Sequence, residues 1–395
     1  KKSWDLRNGG CSGKRNGANV RVGFVGWRGM VGSVLIERMI VEKDFDCFKS
    51  RFFSTSNAGD KFPKKFNFNG DNILFDAFDL EALSECDLVL TCQGSTYSSQ
   101  VYKNLRNNGW PGYWVDASKY LRMSEDAVLV LDPINKNLID RALNSGIKNF
   151  IGSNCTVSCL LMAIGGLIKE NLVDWVCSST YQAASGAGAN HIRELINQMG
   201  KIYGFVDGEI SNPNKSILEI DSMILRGQQS FSVNEKSCFG VPLAGSLIPW
   251  IDVDLGNGVS LEENKGFTEL NKLLGKNLKK KDEAIPVDFT CTRVGSFRCH
   301  SQSLVLKLKT NISLESLQEL IKSGNEWVEI IPNSKEETVQ KLTPVAVSGS
   351  LSVPFGRLRK LNYGSNFLGG FTVADQLLWG AAEPLRRITK YLVGA

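Results

Sequence analysis

The sequence has no long hydrophobic run. A membrane-spanning helix needs roughly 18 to 20 apolar residues, and the longest candidate stretch is interrupted by Lys169 and Glu170. The chain has 395 residues, of which 42% are hydrophobic and 22% charged. This length suffices for two domains with sizeable cores, and the composition is typical of a globular protein. We therefore expect a soluble protein without a membrane partner.

Most of the chain lacks an excess of charge of either sign. Residues 1–21 hold six basic residues against Asp5 alone, and removing these seven from the 46 basic and 41 acidic residues leaves 40 of each. Without a basic excess in the remainder, no nucleic-acid partner is expected. Residues 1–18 are rich in Gly, Asn, Ser and Lys and lack an apolar signal-peptide core. They predict a disordered basic tail or, alternatively, a trimmed organelle-targeting segment.

The spacing CxxC does not occur. The ten cysteines are scattered and lie mostly inside apolar runs, at Cys11, Cys47, Cys86, Cys92, Cys155, Cys159, Cys177, Cys238, Cys291 and Cys299. This usage favours reduced, buried thiols and a cytoplasmic location over a disulfide framework or a zinc site. No metal is predicted.

From residue 20 onward, short apolar strands alternate with helical stretches. This order predicts an α/β fold built on a parallel, doubly wound sheet of the Rossmann-like type. The segments are strand Val20–Val25, helix Val31–Val41 and strands Arg51–Phe53, Asp87–Thr91, Tyr113–Asp116 and Ala127–Leu131.

The second half of the chain has a different pattern. Apolar and polar residues alternate along Ser230–Val233, Val287–Val294 and Ser303–Lys309. Such alternation predicts a mixed or antiparallel sheet with one covered face. A second domain of α+β type is therefore expected from about residue 154.

A glycine-rich loop follows the first predicted strand and opens an apolar helix. Gly26, Gly29 and Gly32 are spaced GxxGxxG, a departure from the usual GxGxxG. Glycines at this position allow a tight turn and let backbone N–H groups approach a pyrophosphate. The placement predicts a dinucleotide site, with a structural turn as the alternative.

The second predicted strand ends in Ser54, Thr55 and Ser56. An NAD-selective domain usually carries an acid there, which binds the ribose hydroxyls. No carboxylate stands here to repel a 2′-phosphate, and Arg28 in the loop can pair with one. We therefore predict NADP as the cofactor, with an ordinary turn as the alternative.

Cys155 lies between an apolar run and a long uncharged stretch that predicts a buried helix over residues 156–168. It therefore lies at a helix N-terminus, where unpaired N–H groups and the helix dipole favour a thiolate, the nucleophilic form. The prediction is a reactive cysteine, and the alternative is a buried structural thiol.

Two segments taken together carry a family resemblance. The loop Gly-Trp-Arg-Gly-Met-Val-Gly at 26–32 and Ser-Asn-Cys-Thr-Val-Ser at 153–158 resemble the aspartate-semialdehyde dehydrogenases of the Gram-negative bacterial type. The similarity spans about residues 19–392 and continues through residues 52–56, 91–94, 121–123, 180–186, 240–246, 298–302 and 375–380.

The resemblance implies NADPH-dependent reduction of L-aspartyl 4-phosphate to L-aspartate 4-semialdehyde with release of phosphate, a step towards lysine, threonine and methionine. In this reaction a cysteine forms a thioacyl enzyme, which then accepts hydride from the nicotinamide. By motif match, Cys155 is the nucleophile, His300 the acid/base, and Gln182 the residue that orients the substrate and the thioacyl carbonyl. The other histidine, His191, is expected to be structural.

The substrate carries a phosphate, an α-carboxylate and an α-ammonium group, so its pocket needs cations and one anion. The resemblance assigns Arg122, Asn154 and Lys265 to the phosphate, Arg293 to the carboxylate and Glu262 to the ammonium.

Some positions leave an alternative open or depart from the family pattern. Without the resemblance, residues 261–265 predict a solvated helix face, and Glu263 competes with its neighbour Glu262. Ala187 stands where the family has a third glycine, and Asn190 where an arginine is frequent. The Cβ of Ala187 narrows the backbone conformations available near the cofactor.

The resemblance also implies domains, partners and a cofactor site. We expect residues 19–153 and 375–395 to form the NADP-binding domain, residues 154–374 to form the catalytic and dimerisation domain, and the chain to be a homodimer that binds small-molecule substrates. The expected cofactor-binding residues are Gly26, Arg28, Gly29, Met30, Val31, Gly32, Ser54, Thr55, Ser56, Gln93, Gly94, Ser185, Gly186 and Gln376.

Functions outside this family are less consistent with the residues. A cysteine hydrolase that uses Cys155 and His300 leaves the glycine loop and Gln376 unexplained. A non-enzymatic nucleotide sensor could lose the catalytic residues, whereas this chain retains Gln182 and Arg293 together with Cys155 and His300. The nucleophile motifs of glyceraldehyde-3-phosphate dehydrogenase, Ser-Cys-Thr-Thr-Asn, and acetylglutamyl-phosphate reductase, Pro-Gly-Cys-Tyr, do not match this chain.

Overall fold

The structure, a computed structural model, describes residues 20–63, 68–280 and 283–394. The predicted basic tail at residues 1–18 lies outside the described residues.

The first half of the chain forms a seven-stranded sheet in which every pairing is parallel. Its spatial order is β3-β2-β1-β4-β5-β7-β6, so the predicted doubly wound sheet is confirmed. The strands are β1 (Arg21–Val25), β2 (Lys49–Ser54), β3 (Gly70–Asp76), β4 (Leu88–Thr91), β5 (Tyr113–Asp116), β6 (Ala127–Val130) and β7 (Asn149–Gly152).

The second sheet is mixed, as predicted. Its order is β12-β13-β14-β11-β8-β10-β9, with β8 parallel to β10 and β12 parallel to β13. The strands are β8 (Val173–Gln182), β9 (Leu247–Ile248), β10 (Val287–Val294), β11 (Cys299–Leu308), β12 (Val328–Ile330), β13 (Val353–Leu361) and β14 (Gly364–Asp375). Along β11, Leu304, Leu306 and Leu308 are buried while Val305 and Lys307 are half-buried, which confirms one covered face.

Twelve α-helices cover the two sheets in the described part of the chain. They are α1 (Met30–Val41), α2 (Leu80–Ser84), α3 (Ser95–Asn107), α4 (Asp132–Asn144), α5 (Cys155–Lys169), α6 (Ala189–Val206), α7 (Ile217–Gln229), α8 (Leu261–Leu273), α9 (Leu314–Lys322), α10 (Lys335–Lys341), α11 (Pro344–Val347) and α12 (Glu383–Leu392).

The strand predicted at Ser230–Val233 is wrong. Ser230 is the C-cap of α7, and the residues after it form a turn into the short 3₁₀ helix Asn234–Lys236. The Glu235 carboxylate accepts hydrogen bonds from both the backbone N–H and the hydroxyl of Ser232. The alternation of apolar and polar residues therefore belongs to a capped turn, in which Phe231 alone points inward.

Helix α5 connects the two parts of the molecule. It starts directly beyond the carboxyl end of β7, and its residues 156–167 are all buried. Its side chains share one apolar core with residues of α8, α9 and the second sheet. Because its first residue is Cys155, the packing of this helix holds the cysteine at the boundary between the two sheets.

The chain returns to the first sheet at its end. Leu385 and Ile388 of α12 pack in the same core as Val22 and Phe24 of β1. Arg386, 5% exposed, pairs with Glu383 on its own helix and with Asp44 after α1. The predicted domain limits at 153/154 and 374/375 stay a prediction.

Most of the thiols are unpaired. Eight cysteines among the described residues are free, whereas Cys47 is disulfide-bonded, so the expectation of reduced thiols is wrong at that position. A spacing rule could not detect this pairing, because a disulfide depends on spatial proximity and not on separation in sequence. Within the described ranges, no helix has both the length and the apolarity that crossing a membrane requires.

Candidate active site

A pocket of about 680 Å³ opens between the two sheets at the start of α5. It brings together residues that are far apart in the sequence, and those predicted as site residues are Val31, Gly94, Arg122, Asn154, Cys155, Gln182, Gly186, Glu262, Lys265, Arg293 and Gln376. His300 contacts the sulfur of Cys155 from behind the pocket wall.

Cys155 is held by the cap of its helix. The side-chain oxygen of Asn154 accepts hydrogen bonds from the backbone N–H groups of Thr156 at 2.9 Å and Val157 at 3.1 Å, the arrangement of a helix N-cap. The cysteine sulfur then lies 3.3 Å from Nε2 of His300. The predicted cysteine–histidine pair is therefore formed in the structure.

The ring of His300 has a defined tautomer. The backbone N–H of Ala183 donates to Nδ1 at 3.0 Å, so Nδ1 is an acceptor and the proton of the neutral ring resides on Nε2, facing the sulfur. Burial, the largest cause, and the positive charge of Arg293 lower the pKa of His300 while Glu262 opposes them, and the net pKa is about 3. His300 is accordingly a neutral hydrogen-bond donor to Cys155 at physiological pH.

The thiol is not ionised in the free protein. Burial, the largest cause, and the charge of Glu262 raise the pKa of Cys155 while Arg122 and Arg293 oppose them, and the net pKa is about 11. The expectation that the helix N-terminus produces a resting thiolate is wrong, because desolvation of the charged form outweighs the favourable helix end.

Glu262 lies at the centre of the pocket's polar contacts. Its Oε1 accepts from Asn154 at 2.9 Å and from Gln182 at 3.3 Å, and its Oε2 accepts from Lys265 at 3.0 Å. Glu262 is 6% and Lys265 8% exposed. The alternative of a solvated helix face is therefore wrong, since this face of α8 packs against the nucleophile's helix.

Glu263 points the other way. Its carboxylate accepts from the N–H of Ser260 at 2.8 Å, which completes a capping box, and from the N–H of Cys291 at 3.2 Å. Because both oxygens serve backbone groups, Glu263 does not compete with Glu262 for a ligand in the pocket.

The two arginines of the site differ in how many partners they already have. Arg122 donates to the carbonyl of Gly152 at 2.8 Å and to both oxygens of Glu269 at 3.3 Å. Arg293, 7% exposed, donates through one Nη1 to the carbonyl of Ala183 at 2.6 Å. Arg293 thus has the larger share of its fork available to a ligand.

Three charged residues of the pocket region, Glu269, Asp252 and Lys119, were not found from the sequence. Glu269 pairs with Arg122, and Asp252 pairs with both Lys265 and Lys119. One signal for Glu269 was available, because Glu262, Lys265 and Glu269 are spaced i, i+3, i+7 on one helix face. No local signal marks Asp252 or Lys119, which lie in loops.

Two glycines are required by close packing around the nucleophile. A Cβ on Gly380 would lie 2.6 Å from the Cβ of Cys155, and one on Gly186 would lie 3.1 Å from the His300 ring. Side chains at these positions would displace the reactive pair. Gly186 was predicted to contact the cofactor, and Gly380 is a further residue that sequence reasoning missed.

The glycine-rich loop has the shape predicted for a dinucleotide site. Gly26 has a φ of 73°, and a Cβ there would lie 2.5 Å from the backbone nitrogen of Gln93. A Cβ on Gly32 would lie 2.2 Å from the carbonyl oxygen of Gly26. Gly29 is the N-cap of α1 and leaves the N–H groups of Met30 and Val31 without a side-chain cap, as at a phosphate-binding helix end.

Arg28 meets the end of β2, as the cofactor prediction requires. Its Nη2 donates to the hydroxyl of Ser54 at 2.7 Å and to Oδ1 of Asn57 at 3.1 Å. The Ser54 hydroxyl also accepts from the N–H of Ser56 at 3.3 Å, while Thr55 is exposed. Asn57 is an additional member of this cluster that the sequence did not reveal.

The remaining predicted cofactor residues are Gln93, Gly94, Ser185, Gly186 and Gln376, of which Gly94, Gly186 and Gln376 line the pocket. Gln376 donates to the hydroxyl of Ser185 at 2.7 Å, and Gly94 is the N-cap of α3 with a φ of 101°. The left-handed backbone conformation before α6 falls on Gly188, φ 104°, and not on Ala187. The alanine in place of a family glycine therefore causes no backbone strain.

Fold and site together define a two-domain protein with a dinucleotide-binding sheet and a cysteine–histidine site at the boundary of the two sheets. Residues 21–142 match the family model described as semialdehyde dehydrogenase, NAD binding domain, and residues 164–379 match semialdehyde dehydrogenase, dimerisation domain. A solved aspartate semialdehyde dehydrogenase from Francisella tularensis is 46% identical, with a TM-score of 0.87, covering 94% of this chain and 99% of that chain.

The chain therefore belongs to the aspartate-semialdehyde dehydrogenase family, and the resemblance seen in its motifs is confirmed. Membership supports an oxidoreductase of amino-acid biosynthesis that uses a nicotinamide cofactor, and the dimerisation domain indicates oligomerisation.

More distant structures share the fold alone. One is aspartate semialdehyde dehydrogenase II complexed with ASA from Vibrio cholerae, at 22% identity and a TM-score of 0.74, covering 95% of this chain and 98% of that chain. Another is aspartate semialdehyde dehydrogenase with NADP from Candida albicans, at 16% identity and a TM-score of 0.61, with the same coverage of the two chains.

Proposed function

We propose that the chain reduces L-aspartyl 4-phosphate to L-aspartate 4-semialdehyde with NADPH, releasing phosphate, on the route to lysine, threonine and methionine. The observation that supports this most strongly is the 3.3 Å contact between the Cys155 sulfur and His300 in a pocket lined by Arg293, Glu262 and Lys265. A nucleophile, a hydrogen-bond donor and charges of both signs match the groups of this substrate.

The first chemical step forms a bond from the Cys155 sulfur to the acyl carbon of the substrate and breaks the bond from that carbon to the phosphate oxygen. The thiol proton leaves with the phosphate group, because the pKa of Cys155 in the free protein is raised and the departing trianion needs a proton. The product is a thioester on Cys155 and a hydrogen phosphate ion.

In this mechanism His300 donates a hydrogen bond from Nε2 to the sulfur and then to the oxygen anion that develops at the acyl carbon. Its Nδ1 is occupied by the N–H of Ala183, and burial together with the charge of Arg293 disfavours the imidazolium form. The geometry therefore favours a narrower role than the predicted acid/base relay. The proton consumed in the reduction comes from solvent.

The substrate's ends are assigned from the charges that are available. Arg293 binds the α-carboxylate with its free donors, and Glu262 binds the α-ammonium. Lys265, Asn154 and Arg122 bind the phosphate. Gln182, 1% exposed and 3.3 Å from Glu262, holds the substrate's acyl group in line with the sulfur.

The residues present fit a bound NADP. The loop around Gly26 and Gly32 has no room for a Cβ, and Arg28 and Ser54 form a polar cluster at the end of β2 without a carboxylate on that strand end. We assign the pyrophosphate to the loop and the 2′-phosphate to Arg28 and Ser54. When bound, NADPH supplies the hydride of the reduction.

The test of the function is an absorbance assay of NADP reduction by the full chain with L-aspartate 4-semialdehyde. Reduction that depends strictly on added phosphate supports the proposal. Hydrolysis of an acyl ester without NADP would instead indicate a cysteine hydrolase, and NADP binding without turnover would indicate a nucleotide sensor.

Cofactor preference gives a first prediction. We expect the parent to prefer NADP over NAD by at least about tenfold in kcat/KM, since a charge-assisted hydrogen bond contributes about 1.5 to 3 kcal/mol. Thr55→Asp should reverse part of this preference, because its carboxylate repels the 2′-phosphate and offers a partner to the ribose hydroxyls of NAD.

The measurement is the ratio of kcat/KM values with NADP and NAD for both proteins. Thr55→Asn is the matched control, since it has the same shape without the charge. A parent ratio near one, or a ratio that Thr55→Asp leaves unchanged, would show that residues 54–56 do not contact the adenosine ribose.

Carboxylate recognition gives a second prediction. Arg293→Lys keeps the charge but loses the planar fork, so we expect the KM for the semialdehyde to rise about tenfold or more. The KM for phosphate in the same assay serves as the internal control and should change less. An unchanged KM for the semialdehyde would mean that another residue holds the α-carboxylate.

We further infer that the chain forms a homodimer. Apolar residues are exposed on α6 and α7, namely Ile196, Met199, Tyr203, Ile217, Leu218 and Leu225. Such a face is typical of a subunit contact. A cytoplasmic location stays a prediction from the cysteine usage.

A further inference from the structure

Asp252 lies at the mouth of the pocket and contacts two lysines from different parts of the chain. Its Oδ2 is 2.6 Å from Nζ of Lys265 on α8 and 3.3 Å from Nζ of Lys119, which follows β5 of the first sheet. The carboxylate thus joins a lysine that follows a strand of the first sheet to a lysine on α8, across the mouth of the pocket. The side chain of Asp252 is only 20% exposed and that of Lys265 only 10%, so water screens this pair poorly.

The backbone at Asp252 is held in an unusual conformation. Its φ is 71°, in the left-handed region that non-glycine residues rarely adopt. The other carboxylate oxygen, Oδ1, accepts from the N–H of Val253 at 2.9 Å, and its carbonyl accepts from the indole N–H of Trp250 at 3.2 Å. These contacts aim the carboxylate at Lys265.

The charges of the pocket show what this carboxylate does. Four cations, Lys119, Arg122, Lys265 and Arg293, face three anions, Asp252, Glu262 and Glu269. The free pocket therefore has one excess positive charge. If Asp252 moved away, the excess would be two, which would balance aspartyl phosphate with its net charge of about −2 at neutral pH.

We propose that Asp252 is an internal substitute for the substrate's phosphate, occupying the ammonium group of Lys265 in the free protein and leaving it when the phosphate binds. This inference rests on the proposed function, since it takes Lys265 as part of the phosphate site. In this role Asp252 sets the affinity for phosphate. It also makes the site selective, because a bound anion must displace the Asp252 carboxylate from Lys265.

The ionisation states agree with this role. Burial would raise the pKa of Asp252, but the hydrogen bond and the charge of Lys265 outweigh it and hold this pKa below its usual value. Asp252 is therefore charged at neutral pH and competes with phosphate for Lys265 under assay conditions. A competing contact that is formed in about nine molecules of ten weakens the apparent affinity of a ligand about tenfold.

The test is calorimetric titration of the full chain with inorganic phosphate in the presence of NADP. Asp252→Asn keeps the acceptor for Val253 and removes the charge, and we expect it to lower the phosphate Kd about tenfold. Asp254→Asn is the matched control. Asp254 lies in the same loop and accepts from the N–H of Gly256 without touching either lysine, so its phosphate Kd should stay within about twofold of the parent.

Two further measurements separate this role from a structural one. The KM for the semialdehyde should change less than the phosphate Kd in Asp252→Asn, because that substrate has no phosphate and Asp252 contacts Lys265, not the assigned ligands of its carboxylate and ammonium groups. In a Lys265→Gln background, Asp252→Asn should bring little further gain in phosphate affinity, since the competed group is gone.

The sign of the effect decides the outcome. If Asp252 had a purely structural role, Asp252→Asn would bind phosphate more weakly than the parent. Weaker or equal phosphate binding by an Asp252→Asn protein that is still active would overturn this inference but leave the proposed function standing. A parent that neither binds phosphate nor needs it for turnover would overturn the proposed function, and the inference with it.

Discussion

Cys155→Ala is expected to abolish turnover, with a loss on the order of 10⁴-fold or more, the scale seen when a covalent nucleophile is removed. The sulfur forms the bond to the acyl carbon in the proposed mechanism. Cys238 also lines the pocket, but among the described residues it is the Cys155 sulfur that contacts His300. NADP binding should stay within about twofold of the parent, because the glycine-rich loop does not contact the sulfur.

The control for this variant lies one helical turn away. Cys159 is 1% exposed on the same helix and is not part of the pocket lining. Cys159→Ala should therefore remain active and show only the effect of removing a thiol from the core. The rates are measured as phosphate-dependent NADP reduction, and NADP affinity by fluorescence titration. Activity of Cys155→Ala above one hundredth of the parent value would end its assignment as nucleophile.

His300 gives the second large effect. We expect His300→Ala to lower kcat by about 10² to 10³-fold, the cost of losing one donor to a developing oxygen anion. His300→Gln should keep at least tenfold more activity than His300→Ala, because an amide N–H can donate a hydrogen bond although it cannot carry a proton. If His300 instead acted as a general base, glutamine could not replace it, and the two variants would be equally inactive.

The pH profile separates the two roles of this histidine. The pKa of His300 is lowered to about 3, so the ring stays neutral from about pH 4 upward and kcat should show no titration near the usual histidine pKa of about 6.5. If the parent loses activity on acidification with a midpoint near 6.5 and His300→Gln is as inactive as His300→Ala, then His300 acts as a base and the donor role is wrong.

Several elements of the fold could be predicted because they depend on neighbours in the sequence. The strands Tyr113–Asp116 and Val287–Val294 have the predicted limits, and α5 differs from its prediction by one residue at each end. Alternation and helical periodicity report burial directly when the element is long and regular. The pattern at 230–233 failed because four residues are too few to distinguish a strand from a capped turn.

The candidate site was predictable in part for a different reason. The residues that resemble a family motif were found by comparison of short segments, and half of the predicted site residues line one pocket. The ion-pair partners of those residues were not found in this way. Glu269 and Asp252 pair with Arg122 and Lys265, and only the three-dimensional structure shows these pairs. A carboxylate in a loop has the same local signature whether it contacts water or a buried lysine.

What the sequence determined by itself was the order of strands and helices, the glycine spacing of the dinucleotide loop, and a cysteine at the start of a buried helix. These are local properties, set by periodicity and by backbone conformations that particular residue types permit. The tertiary structure decided which of two adjacent glutamates faces the pocket, which nitrogen of His300 holds its proton, and that the thiol rests protonated. Each of these depends on groups far away in the chain, as with the 145 positions that separate Cys155 from His300, because the energy of a buried charge or proton is set by whatever the fold places around it.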